Sequence, residues 1–428
     1  MNRKQGKPYY LRIDNNAVDM GIISASMNCR GCYRGVQKTI SDMYGINVSL
    51  GHIYNVMKDK KDIAIEHNNN QPLQNISISA NDELFHINSP ILAGVDIDTL
   101  YCYLLKKENH RDGDTWGYHL IDLNKKAFNP NYTVCDHGAG LRSGQSQAMP
   151  GTPCHGDVFH IIKSMKDMLR FFKNRLKKAD NYRKSLEIKQ EKSSSHKKNK
   201  KHKSNLAAAR KDEKKYRSIE PDLRALVGWM EHDILSISGS NPEERHEMYQ
   251  FIVTELEKIE QLHPHRIKEV RTALVNQEKA LLGFVDVMAV HFKSVALKFN
   301  VPEYIVWEVC KLQKYKLNNY HERKISLQRS LTYQCYEIET EVINIMDKIQ
   351  RASSMVENFN SRVRPYLVVK KTVNNGFLDL LRFYMNHTPI ERSFKEERQG
   401  KTPAERLNKA THPHWLNMLG FSPLQKAA

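Results

Sequence analysis

"NISISANDELFHI", residues 75–87, is the stretch whose reading decides the fold. It is rich in β-branched, aromatic and aliphatic residues. It follows "NNNQPLQ", residues 68–74, a polar stretch with a proline that reads as a linker. Three further runs share its character: "ILAGVDIDTLYCYLL" at 91–105, "TWGYHLIDL" at 115–123 and "NYTVCD" at 131–136. Turn residues separate them. Three strands in succession and a fourth after a connecting segment predict an α/β core built on a mixed sheet.

Outward from this core the pattern turns helical. Residues 15–70 read as helices. Val36, Ile40 and Met43 fall on one helix face, and Gly45 breaks that helix. Ser49 caps a second helix with Leu50, Ile53, Tyr54 and Met57 as its apolar residues. Two helices across a short glycine-containing turn form a helix-turn-helix pattern. The second helix would present Ser49, His52, Asn55 and Lys58 outward, to DNA. On the other side of the strands, about 161–349 is helical throughout. "DVFHIIKSMKDMLRFFKNRLKK" has its apolar stripe at Phe159, Ile162, Met165, Met168 and Phe172. "SSSHKKNKKHK", residues 193–203, is low-complexity and basic, and reads as a disordered loop between two long helices. The last eighty residues hold "SSMVENFNSRVRPYL" (353–367), "GFLDLLRFYMNH" (376–387) and "RQGKTPAERLN" (398–408), the last a Gly–Pro turn into a short helix.

The chain has 428 residues and a formal net charge of +18, much of the excess in one block. That balance points to a polyanionic partner, nucleic acid before membrane. No continuous apolar run is long enough to predict a membrane span, and "MNRKQGKPYYLRID" lacks the apolar region of a secretory signal. Seven cysteines in this length do not make a disulfide framework, and reduced thiols in a cytoplasm fit best. Cys29 and Cys32 form a CxxC with no second ligand pair near it, so no zinc site is expected. Neither a GxSxG elbow nor a Walker loop is present, so no nucleotide cofactor is implied.

Three carboxylates stand out. Asp82 lies in the first strand. Asp136 ends the fourth, before the glycine-rich "HGAGLRSG". Glu357 lies on the late helix among Asn360, Ser361, Arg362 and Arg364. Active sites in open sheets gather at strand ends, and a few converging carboxylates suit Mg²⁺ or Mn²⁺. Glu357 would complete the metal site, while Asn360, Ser361 and Arg364 would hold the polynucleotide backbone. Val356, Phe359 and Val363 would pack the opposite stripe on the sheet. Glu83 rivals Asp82 on charge alone, and Asp96 and Asp98 rival it on the next strand. Asp136 reads equally as a loop cap, and Glu357 as an acid favoured by the helix dipole. His137 is either a supporting group or a turn residue. Lys and Arg from Lys163 to Lys215, including Lys197, Lys198, Lys200 and Lys201, would track phosphates. Trp229 and Trp307 read as core residues, with stacking on an unpaired base as the alternative.

Taken in order, "NDELF", "VCDHGAGL", "DVFH" and "VENFNSRVRPY" resemble the DDE transposases of bacterial insertion sequences, over roughly residues 15–408. The resemblance implies an RNase H-like core interrupted by an all-α insertion and preceded by the helix-turn-helix. Its layout would be 1–70, DNA binding; 71–165, first part of the core; 166–348, insertion; 349–400, last part of the core; and 401–428, a tail. It implies Asp82, Asp136 and Glu357 as the catalytic, metal-binding acids. Asp157 and His160 of "DVFH" would be supporting residues that hold no metal. The implied reaction is metal-dependent cleavage at transposon ends followed by transfer of the freed 3′-hydroxyl into target DNA. A homodimer or larger assembly on DNA, in a prokaryotic cytoplasm, is expected with it. The alternatives are a catalytically inactive DNA-binding regulator, a structure-selective nuclease of the same core fold, and a helical RNA-binding protein.

Overall fold

The computed structural model describes residues 13–136, 138–191, 196–314, 319–331, 333–393 and 395–424, with 196–201 as backbone only. The chain divides into two compact units. One takes in the chain up to Cys154 and again from Ser353. The other is His155–Ala352.

The first unit is mixed α/β. It opens with α1 (Asn15–Asn28), α2 (Tyr33–Tyr44) and α3 (Leu50–Asn70). Gly45 ends α2 with a left-handed φ of 67°, which a residue without Cβ adopts at little cost. Ser49 starts α3 by accepting a 3.0 Å hydrogen bond from His52 N. Two helices on either side of the Gly45 turn therefore form where the sequence predicts helices, but their apolar faces are narrower. Val36, Ile40, Ile53 and Met57 are buried, whereas Met43, Leu50 and Tyr54 are exposed.

The strands are β1 (Ile78–His86), β2 (Ser89–Asp96), β3 (Cys102–Lys107), β4 (Tyr132–Cys135) and β5 (Cys154–Gly156), with α4 (Gly113–Asn124) before β4 and α5 (Ala139–Ala148) after it. The sheet order is β3-β2-β1-β4-β5. The first three strands are antiparallel neighbours, and β4 runs parallel to β1. Two of the expected strands are corrected. "ILAGVDIDTLYCYLL" is split between β2 and β3 by a turn that Asp96 braces. "TWGYHLIDL" is helix α4. Asp112 caps α4 by accepting from Thr115 N at 2.9 Å, and Trp116, Leu120 and Leu123 form its buried stripe. Those three join Tyr103, Phe128, Cys135 and Leu141 in one apolar core. After the second unit come α13 (Ser354–Val368), which packs on β1 and β2, α14 (Asn375–His387), which packs on β3 and α3, α15 (Pro403–Asn408) and α16 (Trp415–Met418). Thr402 and Glu405 close a capping box at the start of α15, as "GKTPAERL" suggests.

The second unit is helical: α6 (Val158–Glu191), α7 (His196–Trp229), α8 (Pro242–Leu262), α9 (Pro264–Phe299), α10 (Glu303–Leu312), α11 (Tyr320–Leu331) and α12 (Gln334–Lys348). Its bounds are wider than the anticipated 166–348. The segment 193–203 is not a loop from His196 onward, because α7 begins there. In α6, Met165, Met168 and Phe172 are buried with Ile161, but Phe159 is exposed. Helix α9 is long and apolar enough to cross a membrane by length and composition, a feature missed by looking for unbroken apolar runs. Its apolar side is spent within the unit, where Leu274, Leu281, Met288 and Phe292 are fully buried. A π-helical turn, Met230–Ile234, follows α7. Buried Arg245 satisfies the carbonyls beyond it, donating to Ile234 O at 2.7 Å and to Ser236 O and Ser240 O at 2.6 Å. Where the chain enters and leaves this unit, Val158 N donates to Arg351 O at 2.9 Å.

Candidate active site

Strand β1 carries two adjacent acids, and the pleat sends them to opposite faces. Glu83 points to the α4 side. Trp116 Nε1 donates to its Oε1 at 3.1 Å and Arg111 Nη1 to its Oε2 at 2.7 Å. Glu83 in turn raises the Arg111 guanidinium above its ordinary range, with a smaller contribution from Asp136. Asp82 points to the α13 side, where Asn360 Nδ2 donates to its Oδ2 at 2.7 Å. The two acids, equivalent on charge alone, thus face different elements: Glu83 meets an indole and a guanidinium, and Asp82 meets the Asn360 amide.

Asp136 is set by register. Asn81 pairs with Cys135 in the parallel β1–β4 ladder; Asp82 is the next residue of β1, and Asp136 is the first residue after β4. Gly138 N donates to Asp136 Oδ1 at 2.9 Å, so Asp136 does brace the start of the loop. The glycines after it serve packing. A Cβ at Gly140 would lie 2.0 Å from Arg111 O, and one at Gly144 would lie 2.6 Å from Gly113 O. They let α5 approach the start of α4.

Glu357 lies in the first turn of α13, where the helix dipole favours an acid. Asn360, one turn on, lies on the adjoining face. Asp82, Asp136 and Glu357 are all half-buried. Among the described residues, no three His, Cys, Asp or Glu side chains stand together as a group able to hold a metal ion.

The rival aspartates are occupied. Asp96 is fully buried, its Oδ2 accepting from Thr99 N at 2.8 Å and Thr99 Oγ1 at 2.6 Å, and burial raises its carboxyl above the usual range. Asp98 pairs with Arg406 at 3.4 Å on the surface. Asn360 departs from the expected phosphate role. It is 0% exposed, in the same buried stripe as Val356, Phe359 and Val363, and faces Asp82. Its Oδ1 has no hydrogen-bond partner among the described residues. Ser361 and Arg364 are exposed, with Ser361 Oγ donating to Asn358 O at 2.7 Å.

Ser49, His52, Asn55 and Lys58 all lie on the exposed side of α3, and His52 Nε2 meets Asp19 of α1 at 2.7 Å. In the second unit Asp157 caps α6, accepting from Phe159 N at 2.7 Å, with His160 Nε2 4.0 Å from its Oδ2. Trp307 is core, edge-on to Phe292 with ring centres 4.7 Å apart. Trp229 is 43% exposed beside Phe251, in a shallow apolar hollow of about 320 Å³. His137 and the side chains of Lys197, Lys198, Lys200 and Lys201 lie outside the described residues. The tether from Asn360 to Asp82 and the engagement of Glu83 by Arg111 were both missed in the sequence. Their partners are far apart in the chain, and only the fold brings them together.

No protein-family model matches this chain, and no curated protein matches it. Among solved structures it is matched by a Drosophila P element transposase strand transfer complex. The TM-score is 0.35 at 13% identity, over 86% of this chain and 94% of that one. A likeness of that strength establishes neither the fold nor the activity.

Proposed function

We propose that the chain is a DNA transposase of the DDE kind, cleaving transposon ends and transferring the 3′-hydroxyl into target DNA. One observation carries this reading. The Asn81–Cys135 pair ends the parallel ladder with Asp82 next along β1 and Asp136 the first residue after β4, and Asn360, one turn beyond Glu357, bonds to Asp82. The sheet order and the parallel β4 support an RNase H-like core, and the exposed face of α3 supports DNA binding through a helix-turn-helix.

In this reading Asp82, Asp136 and Glu357 supply carboxylate oxygens to Mg²⁺ or Mn²⁺. Such ions, when bound, activate a water or 3′-hydroxyl and stabilise the departing oxygen. Asn360 fixes the orientation of Asp82 from a fully buried position. Arg364 and Ser361, exposed on the same helix, bear on the DNA backbone. Two DNA ends would be joined by two or more copies of the chain.

The test uses the purified full chain, labelled transposon-end DNA and Mg²⁺ or Mn²⁺. Asp136→Asn should abolish cleavage and leave DNA binding intact. Nicking by that variant at the parental rate would remove Asp136 from the site. Binding by the parental chain without nicking would make it a regulator, and cutting without joining a nuclease.

A further inference from the structure

We infer that Cys135 and Cys154 form an oxidisable dithiol, a reversible modification site that can join β4 to β5 through a disulfide. The two sulfurs lie 3.0 Å apart and share a hydrogen bond. Their strands are neighbours in the sheet, tied beside them by Thr133 N donating to Pro153 O at 2.9 Å. Neighbouring strands stand about 4.8 Å apart, which suits the Cα separation of a disulfide, and closure asks the sulfurs to approach by only about 1 Å.

Access is unequal. Cys154 is half-buried, whereas Cys135 is 0% exposed. The surroundings favour a thiolate at the accessible sulfur. Arg142, on α5, acts on both thiols with its positive charge, and its Nε and Nη2 are buried without a hydrogen-bond partner among the described residues. The bond from Cys135, then the Thr133 hydroxyl and Arg142, hold the Cys154 thiol below its ordinary range. Elsewhere burial pushes Cys102 and Cys310 up to about 12.

The oxidant is a hydroperoxide such as H₂O₂. The Cys154 thiolate attacks one peroxide oxygen, the O–O bond breaks, and the departing hydroxide takes a proton and leaves as water. This gives a sulfenic acid. The Cys135 sulfur then attacks the Cys154 sulfur. The S–S bond forms, the S–O bond breaks, and the hydroxide leaves as a second water with the Cys135 proton. Two electrons pass from the sulfurs to the peroxide, and a thiol reductant reverses the change. Cys135 ends β4 and immediately precedes Asp136, so the cross-link would fix the strand end from which Asp136 follows. The inference stands on the two thiols and does not need the DNA reading.

The full-length chain carrying Cys29→Ser and Cys32→Ser, which removes the exposed CxxC, is treated with H₂O₂, alkylated under denaturing conditions and cut with trypsin. Cleavage after Lys126, Arg142 and Lys163 puts the two cysteines on separate peptides, 127–142 and 143–163. Oxidation should replace both alkylated peptides by one linked pair that reductant separates. In the same background, Cys135→Ser should leave a sulfenic acid at Cys154 that dimedone traps, and Cys154→Ser should leave Cys135 unreacted. Two separate alkylated peptides after peroxide, or Cys154 carried to sulfinic acid without a link, would overturn the inference.

Discussion

Replacing Asn360 with Asp tests the contact on which the site reading depends. The native amide donates to Asp82 Oδ2 at 2.7 Å from a fully buried position. In Asn360→Asp two carboxyl groups meet there. At an effective dielectric of about 20, two charges at that distance repel by about 6 kcal/mol. Asp82 is half-buried, so solvent and relaxation halve this to about 3 kcal/mol, or about two pKa units. The pair therefore keeps one proton in the folded chain that the unfolded chain has released. With the folded pKa raised, stability is highest below the unfolded carboxyl value near pH 4. It falls by about 1.4 kcal/mol per unit as pH rises to about 6, and is level beyond. Asn360→Leu removes the donor and also the orphaned Oδ1. It should cost about 1–2 kcal/mol wherever Asp82 is ionised, a cost that fades only as Asp82 itself is protonated. Urea unfolding followed by intrinsic fluorescence, at pH 4.5 to 7.5, measures both differences from the parent. Parallel pH profiles for Asn360→Asp and Asn360→Leu would refute the contact.

Arg245→Met should lower stability by about 3–5 kcal/mol in denaturant titration, because the carbonyls of Ile234, Ser236 and Ser240 lose a buried donor. His387 is held neutral by burial, its pKa lowered to about 4. The unfolded chain takes up that proton first, so about 2 kcal/mol should be lost between pH 7 and pH 5, and His387→Asn should flatten that slope in thermal melts. Gly94→Ala would put a Cβ 2.3 Å from the Tyr103 ring, and a loss of about 2–3 kcal/mol is expected in urea unfolding, relieved when Tyr103 is shortened to Leu.

The elements legible in the sequence were those with local signals. Strands β1 and β4, the Ser49 cap and the short helix after the Gly–Pro turn all follow from residues close together in the chain. Helix α4 was misread because Trp, Tyr and Ile suggest a strand. The Asp112 cap and the spacing of Trp116, Leu120 and Leu123 were the better guide. Met43, Tyr54 and Phe159 were assigned to cores they do not reach, because periodicity gives the direction of a face but not its width. At the site, residue type drew attention to the acids, and the pleat gives the adjacent Asp82 and Glu83 different partners. Asn360 was read as outward because it is polar. Its partner lies in another strand far up the chain, and nothing local announces a buried amide facing an acid.

The hydrogen bond from Val158 N to Arg351 O has a consequence for the economy of the whole chain. A long excursion that returns to its point of departure spans almost no distance. Loop-closure entropy grows only with the logarithm of contour length, so adding or removing whole helices beyond that clasp would change the cost of joining its two ends by about 1 kcal/mol or less. The clasp gives the helical segment the properties of a cassette, one whose size can drift while the positions at which it is spliced into the chain stay fixed.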